Sequence, residues 1–157
     1  MIRITKITDH GIVLLAHFAS EPMGAVCNAR DLSREEKLSL PMVSKILKIL
    51  AGAGLLRSHR GVKGGYSLAR SPGETTLAEI VSVLEGPIAL TDCSNSDNGG
   101  CTRKSDCRAR PHWRIINQAI LDSLMKITLK EIGTADLSTT AILQEKPEPE
   151  SPHTASL

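Results

Sequence analysis

Aromatic residues are nearly absent from this 157-residue chain: Phe18, Tyr66 and Trp113 are the whole complement, 2% of a sequence that is 41% apolar. A core without rings has to be assembled from Leu, Ile, Val and Ala, which suits packed helices. Long apolar runs are missing too. None approaches the roughly 20 residues that span a bilayer, so no transmembrane helix and no membrane partner are expected. Residues 11–19 resemble a signal-peptide core behind Arg3 and Lys6, but Asp9, His10 and His17 interrupt it. Their apolar neighbours recur at helical spacing, which predicts a soluble helix and a cytoplasmic protein. Catalytic signatures are also lacking: there is no Cys-x-x-Cys pair, no Ser, His and Asp in a recognisable context, and Gly64-Gly65 is too short to cradle a phosphate. A thiol-dependent enzyme is the alternative from another class. The chain is expected not to be an enzyme and to have no small-molecule substrate.

What the chain does have is three of its four cysteines, Cys93, Cys101 and Cys107, in one polar stretch. That stretch holds no branched aliphatic and no aromatic residue, and Asn, Asp, Ser and Gly favour turns. Ordering it costs roughly 1 to 2 kcal/mol per residue in backbone entropy, with no apolar burial to offset the cost. Another bond must hold it, and thiolates on iron or zinc would supply one. An odd set of three fits a disulfide framework poorly. Cysteine spacing alone does not decide between iron and zinc. Cys27 stands apart and reads as a small half-buried hydrophobe.

Charge divides the chain. Residues 1–72 carry 11 Lys and Arg against 5 Asp and Glu, a balance of +6; residues 73–157 carry 8 against 12, a balance of −4. The first half is suited to a polyanion. Its elements fit the same reading. A first helix is expected from Thr8 or Asp9 to about Ser20, with Ile4, Ile7, Leu14, Leu15 and Phe18 as its core stripe. A short charged helix over 29–37 precedes a second that Ser39 caps and Pro41 opens. Val43, Ile46, Leu47 and Leu50 form that helix's inward stripe, with Ser44, Lys45 and Lys48 on the other face. This is the helix-turn-helix pattern, whose second helix enters the major groove. Residues 55–60 and 66–69 read as strands around a Gly-rich turn, a hairpin wing studded with Arg57, His59, Arg60, Lys63 and Arg70. Together these elements predict binding to double-stranded DNA.

Thr76 and Glu79 form a capping box for the next helix, which Gly86 and Pro87 end. Pro111 opens a long helix to about Ile127 with Trp113, Ile116, Ile120, Leu124 and Ile127 on one side, broadened by Ile115, Ala119 and Leu121. So wide a stripe predicts packing against a second copy, a homodimer. The fold class is therefore mainly α: a winged helix-turn-helix with a small β-hairpin wing and a long C-terminal dimerisation helix. The expected organisation is a DNA-binding domain over 1–87, a cysteine loop over 88–110, the dimerisation helix over 111–132 and a disordered tail over 133–157.

The opening run from Ile4 to Asp9, the wing Arg60-Gly-Val-Lys-Gly-Gly-Tyr66, the helix ending Glu85-Gly-Pro87, the three-cysteine loop and Trp113 together resemble the winged-helix iron-sulfur regulators typified by IscR and NsrR. The resemblance covers about residues 1–132. The run from Glu85 to Ser94 is most similar to regulators of the SUF iron-sulfur assembly operon. The resemblance implies a homodimeric transcription factor with Cys93, Cys101 and Cys107 as ligands of a 2Fe-2S or 4Fe-4S cluster. It also implies base contacts from the start of the recognition helix and an Arg60 that reaches the minor groove. With the charge reading above, the candidate operator contacts are Ser39, Pro41, Met42, Ser44, Lys45 and Lys48 on the helix and Arg57, His59, Arg60, Lys63 and Tyr66 on the wing. IscR-like members take a fourth ligand from a histidine three residues after the last cysteine; Arg110 stands there, and His112 is the nearest histidine. NsrR-like members use an aspartate at the start of the first helix, donated across the dimer. Asp9 occupies that place and is the favoured fourth ligand. A zinc-binding winged-helix regulator is the alternative.

Overall fold

The computed structural model describes residues 4–91, 94 and 106–134. Helices α1 (Lys6–Ser20), α2 (Ala29–Glu35) and α3 (Leu40–Gly52) are followed by strands β1 (Leu56–His59) and β2 (Gly65–Leu68), a 3-10 turn at Pro72–Glu74, and helices α4 (Leu77–Glu85), α5 (Arg110–Lys126) and α6 (Leu129–Thr134). This is the winged helix-turn-helix architecture, mainly helical with one two-stranded antiparallel hairpin.

The aliphatic core sits where α1, α3 and the hairpin meet. Leu14, Leu15, Val43, Ile46, Leu47 and Leu50 have no exposed surface, and Phe18, Leu32, Leu56 and Leu68 close around them. The inward stripe of α3 is the one its spacing predicts, because a 3.6-residue period returns those four side chains to one face. Leu56 pairs with Leu68 and His59 with Gly65 across the hairpin. Cys27 adds a short third rung: its N–H donates to the Tyr66 carbonyl at 2.9 Å, and the Tyr66 N–H donates to the Cys27 carbonyl at 2.8 Å. A side chain at position 65 would put its Cβ 2.5 Å from the Cys27 carbonyl oxygen, so only glycine allows this rung.

Two helix starts differ from expectation. Helix α1 begins at Lys6, capped by Thr5, whose hydroxyl accepts from the Thr8 N–H at 3.4 Å. Thr8 is instead fully buried, and its hydroxyl donates to Glu85 at 2.7 Å; Asp9 caps nothing, and Ile4 is 57% exposed. At α4, Thr76 caps by accepting from the Glu79 N–H at 3.3 Å. The reciprocal half of that box is not made, because the Glu79 carboxylate is engaged by Arg70. A complete capping box forms at Ser71 and Glu74.

The C-terminal part returns to the core. Helix α5 ends at Lys126, after which the Leu77 N–H donates to the Ile127 carbonyl and the Leu129 N–H donates to the Thr75 carbonyl, both at 2.8 Å. Leu129 is fully buried, so residues 129–132, expected to belong to the long C-terminal helix, form the separate α6 that packs against α1. Gly133 and Thr134 complete α6 where the tail was expected to begin. A Cβ on Gly133 would come within 2.6 Å of the Ala19 Cβ, so this glycine serves a close approach of α6 to α1 and does not stop the helix. The remainder of the expected tail, residues 135–157, lies outside the described residues.

Glu85 ties the end of α4 to the start of α1, accepting from the Thr5 N–H and the Thr8 hydroxyl, each at 2.7 Å. These hydrogen bonds favour the ionised form and hold its carboxyl below the usual range. A carboxylate with a depressed folded-state pKa stabilises the fold above the unfolded pKa and loses that contribution as pH falls through the folded one. Glu85→Gln should therefore melt below wild type at neutral pH, with the difference shrinking as pH drops below about 4, the ordinary glutamate range. Melting temperatures of both proteins across pH 7 to 3 check this; a pH-independent difference would remove the charge from the account.

Candidate functional site

Helix α3 owes its outward face to its inward one. With Val43, Ile46, Leu47 and Leu50 turned into the core, Ser39, Pro41, Lys45 and Lys48 are exposed and Ser44 is half-buried. Ser39 caps the helix by backbone conformation alone, with no side-chain hydrogen bond to the helix end, so its hydroxyl is available to another acceptor or donor. Met42 is half-buried and packs on the core, which leaves it less available to a partner than expected.

On the wing, Arg57, Arg60 and Lys63 are exposed, and Val62 at the tip is fully exposed. Two wing residues are more committed to the fold. The His59 ring is held by the buried Ser67, Nε2 to Oγ at 2.8 Å. Tyr66 is half-buried on the core beside Cys27. Between wing tip and α2 lies an open concavity of about 810 Å³ whose rim includes Arg30, Arg34, Leu40, Val62 and Lys63. Arg30 and Arg34 were missed as site residues. Their i, i+4 spacing on a short helix is the signal that would have placed both on one face. Arg34 is only loosely held, 3.3 Å from Asp31 at the surface. The concavity thus brings Arg30, Arg34 and Lys63 together with Asp31 around one open space, with carbon surface at Val26, Ala29, Leu40 and Val62.

Of the cysteine loop, Cys93 and Cys101 lie outside the described residues. Cys107 is half-buried and not disulfide-bonded, and its carbonyl accepts from the Arg110 N–H at 3.2 Å at the entrance to α5. Asp9 lies exposed in the first turn of α1. Since Thr5 does the capping, the Asp9 carboxylate is not needed to satisfy the helix end. His112 is exposed in the first turn of α5. Among the described residues no three His, Cys, Asp or Glu side chains converge on one point. The donor chemistry, three sulfurs and a carboxylate, fits an iron-sulfur cluster, whose iron takes thiolate ligands. Cys27 behaves differently: burial pushes its thiol up, with Glu21, Glu35 and Asp31 adding to the effect, as suits an inert half-buried residue.

Helix α5 wears its apolar residues outside. Trp113, Ile115, Ile116 and Met125 are 40%, 67%, 44% and 54% exposed, and Ile115, Ile116, Ala119, Ile120 and Leu124 line a shallow apolar trough. No described helix is long and apolar enough to cross a membrane.

Residues 4–135 match the family profile Rrf2, described as an iron-dependent transcriptional regulator. The chain is 26% identical over 146 residues to the transcriptional regulator NsrR of Halalkalibacterium halodurans, covering 93% of this chain and 100% of that one. It is 26% identical over 131 residues to the transcriptional regulator IscR of Xenorhabdus nematophila, covering 83% and 79%. Among solved structures it resembles CymR, the global cysteine regulator of B. subtilis, with a TM-score of 0.71 at 25% identity over 87% of this chain and 100% of that one. These relatives and neighbours are transcriptional regulators, not enzymes.

On a double-stranded operator, Arg60→Ala should weaken binding and lower the slope of log affinity against log salt by about 0.9 for each phosphate it no longer neutralises. Arg30→Ala should do the same if the concavity beside α2 lies against the backbone. Titrations between low and physiological salt check both; an unchanged affinity and slope would take that residue off the interface.

Proposed function

The chain belongs to the Rrf2 family, and we propose that within it this protein is a homodimeric DNA-binding regulator that senses iron-sulfur cluster status in the cytoplasm, governing iron-sulfur assembly genes of the SUF type. The observation that carries the reading is positional. The cysteine stretch joins α4, which is packed into the DNA-binding domain, to α5, whose apolar side has no partner among the described residues.

Cys93, Cys101 and Cys107 would hold the cluster, with Asp9 from the other protomer as the fourth ligand. When bound, the cluster supplies a centre sensitive to iron supply, oxidants and nitric oxide. The remaining work falls to the chain's own residues. A carboxylate at an exposed helix start is an exchangeable ligand, which favours sensing over electron carriage. Paired α5 helices set the separation of the two α3 helices, and a two-fold dimer presents both to a pseudo-palindromic site. Exposed Pro41, Lys45 and Lys48 face the groove, with Arg57, Arg60 and Lys63 flanking it. Met42 and Tyr66 contribute at most an edge, and His59 acts with its ring braced by Ser67. Because IscR-like proteins carry a glutamate-containing reading surface where Pro41, Met42, Ser44 and Lys45 stand, the operator differs from theirs. Loop state alters transcription only through a difference in operator affinity between loaded and metal-free dimers.

Full-length protein purified without oxygen should contain iron and acid-labile sulfide in near-equal amounts. Visible charge-transfer bands should be present and should disappear in Cys93→Ala, Cys101→Ala and Cys107→Ala. Iron per protomer then separates two-iron from four-iron forms, and Asp9→Ala should shorten the cluster's lifetime. Stoichiometric zinc in a colourless protein, persisting after attempted cluster reconstitution, would overturn the cluster assignment in favour of a zinc regulator.

A further inference from the structure

Helix α5 is inverted relative to an ordinary amphipathic helix. Its exposed positions include Trp113, Ile115, Ile116 and Met125, while its one buried residue is an amide, Asn117, 9% exposed. A buried carboxamide is costly unless its donor and acceptor are both used. Here both are. Asn117 Oδ1 accepts from the Leu90 N–H at 2.9 Å, and Asn117 Nδ2 donates to the Ile88 carbonyl at 3.1 Å. One side chain therefore grips two backbone groups of the same short connecting segment. Among residues of this size only asparagine offers a donor and an acceptor side by side.

The gripped segment leads into the cysteine stretch. Leu90 lies three residues before Cys93, and Cys107 lies three residues before Arg110, the first residue of α5. The stretch thus leaves through its covalent join to α5 and enters under the Asn117 side chain, two turns further along the same helix. Both of its ends are moored to α5.

We propose that Asn117 is a positioning residue that couples the entrance of the cysteine loop to α5, so that the loop acts on this helix at two points instead of one. The proposal rests on the cluster-sensing reading above. With the amide removed, Cys107 still leads directly into α5, but residues 88–90 move independently of it. Cluster ligands are untouched, and the recognition surface on α3 and the wing is untouched.

The test uses full-length Asn117→Ala and Asn117→Asp dimers. Asp keeps the acceptor for Leu90 but sets a carboxylate oxygen against the Ile88 carbonyl, so it is half a clamp. In metal-free protein, NMR amide exchange at Leu90 should accelerate strongly in Asn117→Ala and less in Asn117→Asp. Both variants should bind iron and sulfide at wild-type stoichiometry and bind the operator like wild type when metal-free. The ratio of operator affinities between loaded and metal-free protein should collapse toward one in Asn117→Ala and fall partway in Asn117→Asp. Two-site coupling typically spans roughly 5- to 150-fold, so the loss is measurable. A wild-type ratio retained in Asn117→Ala, or Leu90 exchange unchanged by it, would overturn the assignment of Asn117. Should Asn117→Ala fail to fold, Asn117→Asp decides by the same two readouts. A ratio of one in wild-type protein would instead overturn the sensing reading, and the coupling with it, while Leu90 exchange would still report whether the clamp exists.

Discussion

Four side chains with no solvent exposure, Val43, Ile46, Leu47 and Leu50, decide what the rest of this molecule can do. Buried aliphatic side chains contribute roughly 1.5 to 3 kcal/mol each, so rotating α3 about its axis would forfeit an amount comparable to a small domain's typical net stability. The helix has no freedom in its rotation, and its polar face is aimed as a consequence. Lys45 and Lys48 are outside because their neighbours must be inside. The same core receives Leu56 and Leu68 from the hairpin, so wing and recognition helix are set against one rigid body, and Cys27 pins the far side of the wing through its two backbone bonds to Tyr66. Specificity of orientation at the surface is here a by-product of packing underneath.

The helix-turn-helix and wing were legible because their signals are local. A period of 3.6 over α3, glycines at the turn, and basic residues between them need no tertiary knowledge. What was not legible depended on distant partners. Thr5 and Thr8 are equally able to cap a helix, and the choice fell to Glu85, 77 residues from Thr8, which takes the Thr8 hydroxyl inward. Glu79 has the spacing of a capping box, yet Arg70 claims its carboxylate. Gly133 has the look of a helix stop, but it is where α6 meets Ala19. His59, Met42 and Tyr66 carry the right chemistry for DNA, and only the fold reveals that each is partly spent on holding the wing or the core. Two of the three loop cysteines, Cys93 and Cys101, lie outside the described residues, so the metal site we propose is argued from the sequence.

Asn117 is the most instructive omission. In sequence it is a polar residue between isoleucines, and periodicity assigns such a residue to solvent. The structure places it inward and the isoleucines outward. An aliphatic face left open on a helix is expensive in water and is relieved when a second copy covers it, whereas a buried amide is relieved within the chain by Ile88 and Leu90. The two faces of α5 therefore differ in what they meet: one is open to the second copy we propose, the other faces the approach to the cysteines.

That division has a mechanical consequence. In the proposed mechanism a change at the loop has to reach the operator-reading surface on α3 and the wing, and the connecting element must be one that both the loop and the proposed dimer act upon. Helix α4 is a poor candidate, because Glu85 anchors its end to α1 and Ile80 locks it into the core. Helix α5 has one buried side chain, and that side chain holds the backbone of Ile88 and Leu90. Just beyond its far end the chain is fastened to the start of α4, the Ile127 carbonyl accepting from the Leu77 N–H and the Leu129 N–H donating to the Thr75 carbonyl. In the dimer we propose, a helix fastened at one end, joined to the cysteine stretch at the other and pairing along its outer face would convert a small displacement of that stretch into a rotation between protomers. The separation of the two α3 helices in that dimer would respond to the rotation directly, since each is rigid within its own core.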